Sequence, residues 1–282
     1  MTKKAKASSL NIGSFAAMKA AGEKISMITA YDYAMGKCAV QAGIDLILIG
    51  DSLGMVVLGY DNTLQVSIED MIHHSAAVRR GAPEAFIIID MPFMSYHLSS
   101  IQAKENAARL LIGGGANAVK LEGGSASRVE AIKAIVDCEI PVCAHLGLTP
   151  QSVYKMGGYK VQGKSVADYE IIMAEALAVE AAGAFMLVLE GIPELLGRDI
   201  SQSVKIPTIG IGAGRYTDGQ VLVINDLLGQ TDLRPKFVKT YSEINSEIIR
   251  ALGEYNAEIK AGTFPAEEHV YYPITNIKDF EK

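Results

Sequence analysis

Three times along this chain an Ala-rich stretch ends in glycine, a run of mostly apolar residues follows, and an acidic residue comes seven or eight positions past the glycine. The three instances are Gly43 to Asp51, Gly115 to Glu122 and Gly183 to Glu190. A glycine in that place reads as the left-handed residue that ends a helix. The apolar run after it reads as a strand. Five further runs fit the same template: 25–30, 86–90, 141–145, 207–211 and 221–224. With 46–50, 118–122 and 184–190 they make eight candidate strands. Their apolar residues are near-continuous rather than alternating, so both faces are to be buried, as in parallel strands joined by helical crossovers. Ser67 with Asp70, Ser99 with Gln102 and Ser165 with Asp168 have the spacing of capping boxes and open three of the helices between them.

Eight βα units in 282 residues match the length of an α/β (βα)8 TIM barrel. A doubly wound open sheet is the alternative, but no GxGxxG opens a helix near the first strand. The expectation is a single barrel domain over residues 1–282, with a short N-terminal helical segment, a final helix over 238–261 and a polar, aromatic tail from Gly262. Two loops are unusually long, Ser52–Gln65 after the second strand and Leu146–Gly163 after the fifth, and both are candidate lids.

Composition narrows the partners. Lys plus Arg number 26 against 32 Asp plus Glu, a net charge of −6, which argues against nucleic acid or an anionic membrane as partner. No apolar stretch nears the length that spans a bilayer. Lys3, Lys4 and Lys6 are followed by no apolar segment of a secretory signal. Cys38, Cys138 and Cys143 form no CxxC pair, which suits a reduced, cytoplasmic protein.

Polar residues close the apolar runs: Asp51, Asp90, Lys120 with Glu122, His145 and Glu190. In a barrel these strand ends converge on one mouth, where catalytic loops sit. Any one of them could instead cap a helix or pair with a neighbour; six from five successive strands are harder to explain that way. Lys120 and Glu122 are two apart and so point to the same side of their strand, while apolar Leu121 faces the helices. Two charges aimed into a barrel are expensive unless a ligand, a metal or an ion pair meets them. A mutual salt bridge plugging the barrel is the simple alternative.

Asp51, Asp90 and Glu122 form an all-oxygen set, which selects Mg²⁺, Mn²⁺ or Ca²⁺ over Zn²⁺. Asp51 and Asp90 are the expected direct ligands, with Glu122 direct or through water. An opposite charge near 4 Å is worth about 4 kcal/mol at an effective dielectric of 20, roughly three pKa units for an amine among carboxylates. Lys120 is therefore expected to stay cationic and clamp a substrate carboxylate, rather than act as a Schiff-base nucleophile. Glu190, desolvated and near other carboxylates, is the candidate general base. His145 either serves the substrate or is a core imidazole. Gly210–Gly214 has the look of a phosphate-binding glycine loop, a weak signal.

Asp51-Ser52, Asp90-Met91-Pro92, Val119–Glu122, Ala144–Pro150 and Leu189-Glu190, taken in order, closely resemble the ketopantoate hydroxymethyltransferases. So do Met27–Asp32, Asp51–Tyr60, Ile209–Gly214 and Phe264–His269. The resemblance spans nearly the whole chain. It implies a barrel of the phosphoenolpyruvate/pyruvate type forming a large homo-oligomer, a decamer. It also implies one-carbon transfer from 5,10-methylenetetrahydrofolate to 3-methyl-2-oxobutanoate through a Mg²⁺-stabilised enolate, toward pantothenate. By position, Asp51, Asp90 and Glu122 would hold Mg²⁺, and Asp51, Ser52, Asp90 and Lys120 would bind the 2-oxo acid. Glu190 would be the proton acceptor, with His145 and Tyr31 as additional site residues. The rival is another Mg²⁺-dependent carbon–carbon lyase or aldolase acting on 2-oxo acids.

Overall fold

All eight expected strands form, and they close on themselves. In this computed structural model, which describes residues 10–232 and 234–272, the strands are β1 (Ile25–Thr29), β2 (Leu46–Ile49), β3 (Phe86–Asp90), β4 (Ala118–Glu122), β5 (Val142–Gly147), β6 (Met186–Glu190), β7 (Thr208–Ile211) and β8 (Gly219–Leu222). Each pairs in parallel with the next, and β8 pairs with β1. Lys3, Lys4 and Lys6, and the tail beyond residue 272, lie outside the described residues.

The strand period of two divides the core into two clusters. Met27, Leu46, Leu48, Phe86, Ile88, Ala118, Cys143, Met186, Val188, Ile209 and Val221 pack together inside the barrel. The alternate residues, among them Ile47, Ile49, Ile89, Val119, Leu121 and Leu187, pack outward against helix residues such as Met71, Leu110 and Ile132. Burial on both faces is why the strands lack polar alternation. Helix Ile12–Ala21 closes the N-terminal end: Phe15 and Met18 join the interior cluster, with Phe15 edge-on to Phe86 at 5.1 Å between ring centroids. Lys19 ties that helix down through Ser201 O, Ile206 O and Asp218. The opposite end is left for chemistry.

The punctuation behaves as its chemistry requires. Gly43 and Gly115 end their helices with φ of 79° and 67°, and Gly183 (φ 96°) follows the cap residue Ala182, two residues past its helix. Ser67 and Asp70 make a reciprocal capping box. Ser99 accepts from the Gln102 N–H, but the Gln102 side chain turns to Leu98 N–H instead of closing the box. Ser165 accepts from Asp168 N–H and donates to its carboxylate.

The second half of the barrel departs from expectation in three places. Strand β8 starts two residues earlier than the apolar run at Val221, because Gly219 and Gln220 belong to it. Glycine is required there: a Cβ would lie 2.3 Å from Ile25 O on the neighbouring strand. No helix separates β7 from β8, only the loop 212–218, so the barrel has one crossover helix fewer than eight full units. The last long helix spans Ile244–Ala261, not 238–261. The segment before it is held by tertiary bonds from Tyr241 N–H to Leu227 O and from Ile244 N–H to Leu228 O.

Both long loops carry short helical turns, Leu53–Val56 and Thr63–Gln65 after β2, and Pro150–Ser152 and Val153–Met156 after β5. They meet over the mouth, where Tyr159 Oη donates to Met55 Sδ at 3.7 Å.

Candidate active site

Asp51, Ser52, Asp90, Lys120, Glu122, His145 and Glu190 line one cavity of about 1500 Å³ at the C-terminal ends of the strands. Backbone geometry assembles them. Lys120 stands beside Asp90 across the β3–β4 pair, Glu122 beside His145 across β4–β5, and Glu190 lies two residue pairs further along β5–β6, opposite Gly147. Asp51 lies in the turn leaving β2, where its N–H donates to Asp90 Oδ2 at 3.1 Å. Gly50 makes that turn fit, since a Cβ would meet Ser52 Oγ at 2.7 Å.

Lys120 is the hub. Its Nζ lies 3.0 Å from Asp90 Oδ1 and 3.2 Å from His145 Nδ1. The alternative of a mutual Lys120–Glu122 salt bridge is not what forms; the lysine turns to Asp90. Burial alone would lower the Lys120 pKa, but Asp90, Glu122 and Asp51 together raise it above its ordinary value, so the side chain stays cationic. His145 Nε2 is 3.2 Å from Glu190 Oε2, and Nδ1 is 3.6 Å from Glu122 Oε1. Burial and the Lys120 charge hold His145 well below its usual pKa, which keeps the imidazole neutral. It is thus a member of the cluster and not an apolar core residue.

The carboxylates divide by environment. Burial pushes Glu190 up to about 7, with Lys120 pulling the other way; its side chain keeps 17% exposure toward the cavity. Burial, then the Asp90 charge, pushes Asp51 up to about 7. Burial and Asp51 raise Glu122 well above the carboxylate range. Such crowding is unfavourable without a cation. Asp90 Oδ1 is buried and accepts no hydrogen bond, having only its ion pair with Lys120. Among the described residues no group of three or more His, Cys, Asp or Glu side chains is close enough to form a complete metal cage. An oxygen-only set with one or two direct carboxylates, completed by water and substrate, is what Mg²⁺ takes, and Asp51 with Asp90 fits it.

Tyr31 reaches the site indirectly. Its Oη lies 2.8 Å from Ser52 Oγ, and burial raises its pKa above the usual tyrosine value. Gly210–Gly214 does not form a phosphate cradle. No helix N-terminus follows it, and its glycines answer to packing: a Cβ on Gly212 would meet the Phe237 ring at 2.8 Å, and one on Gly214 would meet Glu194 at 2.4 Å.

Two residues at the site carry no signal in the strand-end pattern. Gln151, directly after Pro150 in the β5 loop, bonds to Asp51 and Glu122, and Tyr96 bonds to Gln151 and to the Glu122 backbone. Both are neutral and lie in loops. Only the adjacency of Gln151 to the Ala144–Pro150 motif pointed toward it.

Comparison with known proteins gives the family and the fold. The family model described as ketopantoate hydroxymethyltransferase matches residues 9–267. A 3-methyl-2-oxobutanoate hydroxymethyltransferase of Syntrophomonas wolfei is 54% identical over 88% of this chain and 90% of its own length. That of Geobacter metallireducens is 54% identical over 90% and 95%. Among solved structures, 2,3-dimethylmalate lyase, a member of the PEP mutase/isocitrate lyase superfamily, superposes with a TM-score of 0.60 at 15% identity, covering 95% of this chain and 93% of that one. Phosphonopyruvate hydrolase in complex with oxalate and Mg²⁺ gives a TM-score of 0.59 at 12% identity, with the same coverage. At such identities these two report the barrel alone.

Proposed function

The chain belongs to the ketopantoate hydroxymethyltransferase family, and from that premise we propose that it transfers a hydroxymethyl group from 5,10-methylenetetrahydrofolate to 3-methyl-2-oxobutanoate, giving 2-dehydropantoate on the way to pantothenate and coenzyme A. The observation that carries the reading is the opposition of a fixed cation and a proton acceptor within one cavity. Lys120 is held positive by three carboxylates, and Glu190, tuned to about 7, stands on the far side of His145.

Lys120 receives the substrate carboxylate, with Ser52, steadied by Tyr31, beside it. Glu190 then removes the proton from the carbon next to the ketone. Its raised pKa makes it a stronger base than an exposed glutamate while leaving it largely ionised just above neutrality. His145, neutral and between Lys120 and Glu190, keeps the two apart without adding charge. Asp51 and Asp90 would hold Mg²⁺, with Glu122 completing the set directly or through water. Bound there, the cation would polarise the ketone and draw developing negative charge onto its oxygen. Loss of the proton makes the third carbon the nucleophile for the folate-borne methylene carbon; both carbon–nitrogen bonds of that methylene break, tetrahydrofolate leaves as the free amine, and one water supplies the product hydroxyl. The cavity, at about 1500 Å³, has room for both partners, and the loops that touch at Met55 and Tyr159 lie beside it.

A Mg²⁺-dependent lyase on the same barrel is not favoured. Hydroxymethyltransferases match this sequence at 53–54% identity, against 15% for the 2,3-dimethylmalate lyase barrel. We place the enzyme in the cytoplasm and read it as a homo-oligomer, a decamer by resemblance. Helix Ile244–Ala261 has no buried residue and exposes Ile248, Leu252, Tyr255 and Ile259 at helical spacing, a stripe that a second copy would cover. No helix among the described residues is long and apolar enough to cross a membrane.

The test is an assay of the purified protein with the 2-oxo acid, Mg²⁺ and methylenetetrahydrofolate, with each omitted in turn. Product should require all three. Cleavage or turnover without folate, or full activity after exhaustive chelation, would overturn the assignment.

A further inference from the structure

Behind the carboxylates lies a layer of neutral side chains that the reaction itself does not use. Gln151 is 6% exposed and makes every hydrogen bond its amide can direct inward. Its Nε2 donates to Asp51 Oδ2 at 2.7 Å and to Met91 O at 3.0 Å. Its backbone N–H donates to Glu122 Oε2 at 3.0 Å. Its Oε1 accepts from Tyr96 Oη at 2.6 Å, and Tyr96 Oη in turn accepts from Glu122 N–H at 3.2 Å.

This closed circuit has only one sense. The tyrosine hydroxyl already accepts from a backbone N–H, so its own proton goes to Gln151 Oε1. That choice turns both Nε2 hydrogens toward a carboxylate and a carbonyl, groups that can only accept. The amide orientation is therefore fixed by its partners. One oxygen of Asp51 and one of Glu122 are tied back, which leaves Asp51 Oδ1 and Glu122 Oε1 outside the circuit. Gln151 and Tyr96 line a separate cavity of about 450 Å³ on the far side of Glu122, and neither lines the one that holds Asp90, Lys120 and Glu190. They do not face the substrate.

We infer that Gln151 is a positioning residue for the divalent cation: through its side chain and its backbone N–H it ties back one oxygen of Asp51 and one of Glu122 and so fixes how both carboxylates are presented, and Tyr96 locks its amide in the required sense. The inference rests on the reading of Asp51 as a ligand. Hydrogen-bond partners of ligating groups commonly carry tenfold to hundredfold in metal affinity, and here a single residue serves two carboxylates that β2 and β4 supply separately.

Mn²⁺ binding, followed by its electron paramagnetic resonance signal without substrate, tests this apart from activity. Gln151→Met keeps length and bulk while removing the amide. Its Mn²⁺ Kd should weaken by about tenfold or more, with the wild-type melting temperature retained. A Kd within threefold of wild type overturns the inference. Should that variant fail to fold, Tyr96→Phe decides: a severalfold weaker Kd supports the role and an unchanged Kd refutes it. Wild-type protein that binds no Mn²⁺ would sink the metal reading itself, and this inference with it; wild-type binding with unaltered variants would sink the inference alone.

Discussion

Replacing Glu190 by glutamine should damage catalysis and strengthen the fold, and the size of the second effect follows from the site. Burial moves this carboxyl from its ordinary 4.5 to about 7, which corresponds to about 3 kcal/mol between its two protonation states. A carboxyl whose pKa is raised on folding favours the folded chain while it is protonated. That advantage is complete below about 4.5 and is lost as pH climbs to about 7. Glutamine, similar in shape and unable to ionise, escapes the loss and still offers an oxygen to His145. Urea unfolding without divalent cation should show Glu190→Gln gaining about 2–3 kcal/mol on wild type between pH 5 and pH 8. In parallel, exchange of the substrate proton into deuterated water, measured by NMR with Mg²⁺, should fall by about 10²–10⁴-fold, the usual worth of a general base. In wild type that exchange should rise tenfold per pH unit and level off above about 7. Stability curves that stay parallel from pH 5 to pH 8 would refute the argument that desolvation tunes this group, and undiminished exchange would remove it from the base role.

Further outcomes follow from the same geometry. Borohydride added with the 2-oxo acid should leave Lys120 unmodified by mass spectrometry, because its three carboxylate neighbours keep it protonated; a reduced adduct on Lys120 would contradict this. Gly147→Ala should lower stability by about 1–3 kcal/mol and disturb Glu190, since Gly147 has φ 95° and a Cβ there would lie 2.3 Å from Glu190 O; a wild-type melting curve would refute it. Tyr31→Phe, which removes the hydroxyl bonded to Ser52, should raise KM for the oxo acid severalfold and leave Mn²⁺ affinity unchanged.

What could be read in the sequence was whatever broke the apolar pattern. Asp51, Asp90, Lys120, Glu122 and Glu190 each interrupt or end a run that ought to be core, and a charge in such a place advertises itself. Gln151 and Tyr96 were silent for the opposite reason. An amide and a phenol in a loop are ordinary, and their importance comes from partners up to 100 residues away. The start of β8 was hidden because Gly219 was chosen for closeness to Ile25, not for strand propensity. The stretch 238–243 looked continuous with the last helix until tertiary bonds to Leu227 and Leu228 claimed its end.

The charged groups seated on or directly after strands come from β2 through β6, while β7 and β8 finish in Ile211-Gly212 and Leu222-Val223 and charge reaches that side of the cavity only from later segments, through Arg215, Asp226 and Arg234. A planar intermediate gripped by the strand-borne arc would present one of its two faces to the arc lined by those later segments. For 3-methyl-2-oxobutanoate, whose reacting carbon carries twin methyl groups, that bias leaves no trace in the product. An analogue with two unlike substituents on that carbon would emerge as one mirror form, turning the lopsided rim into a handedness that polarimetry can see.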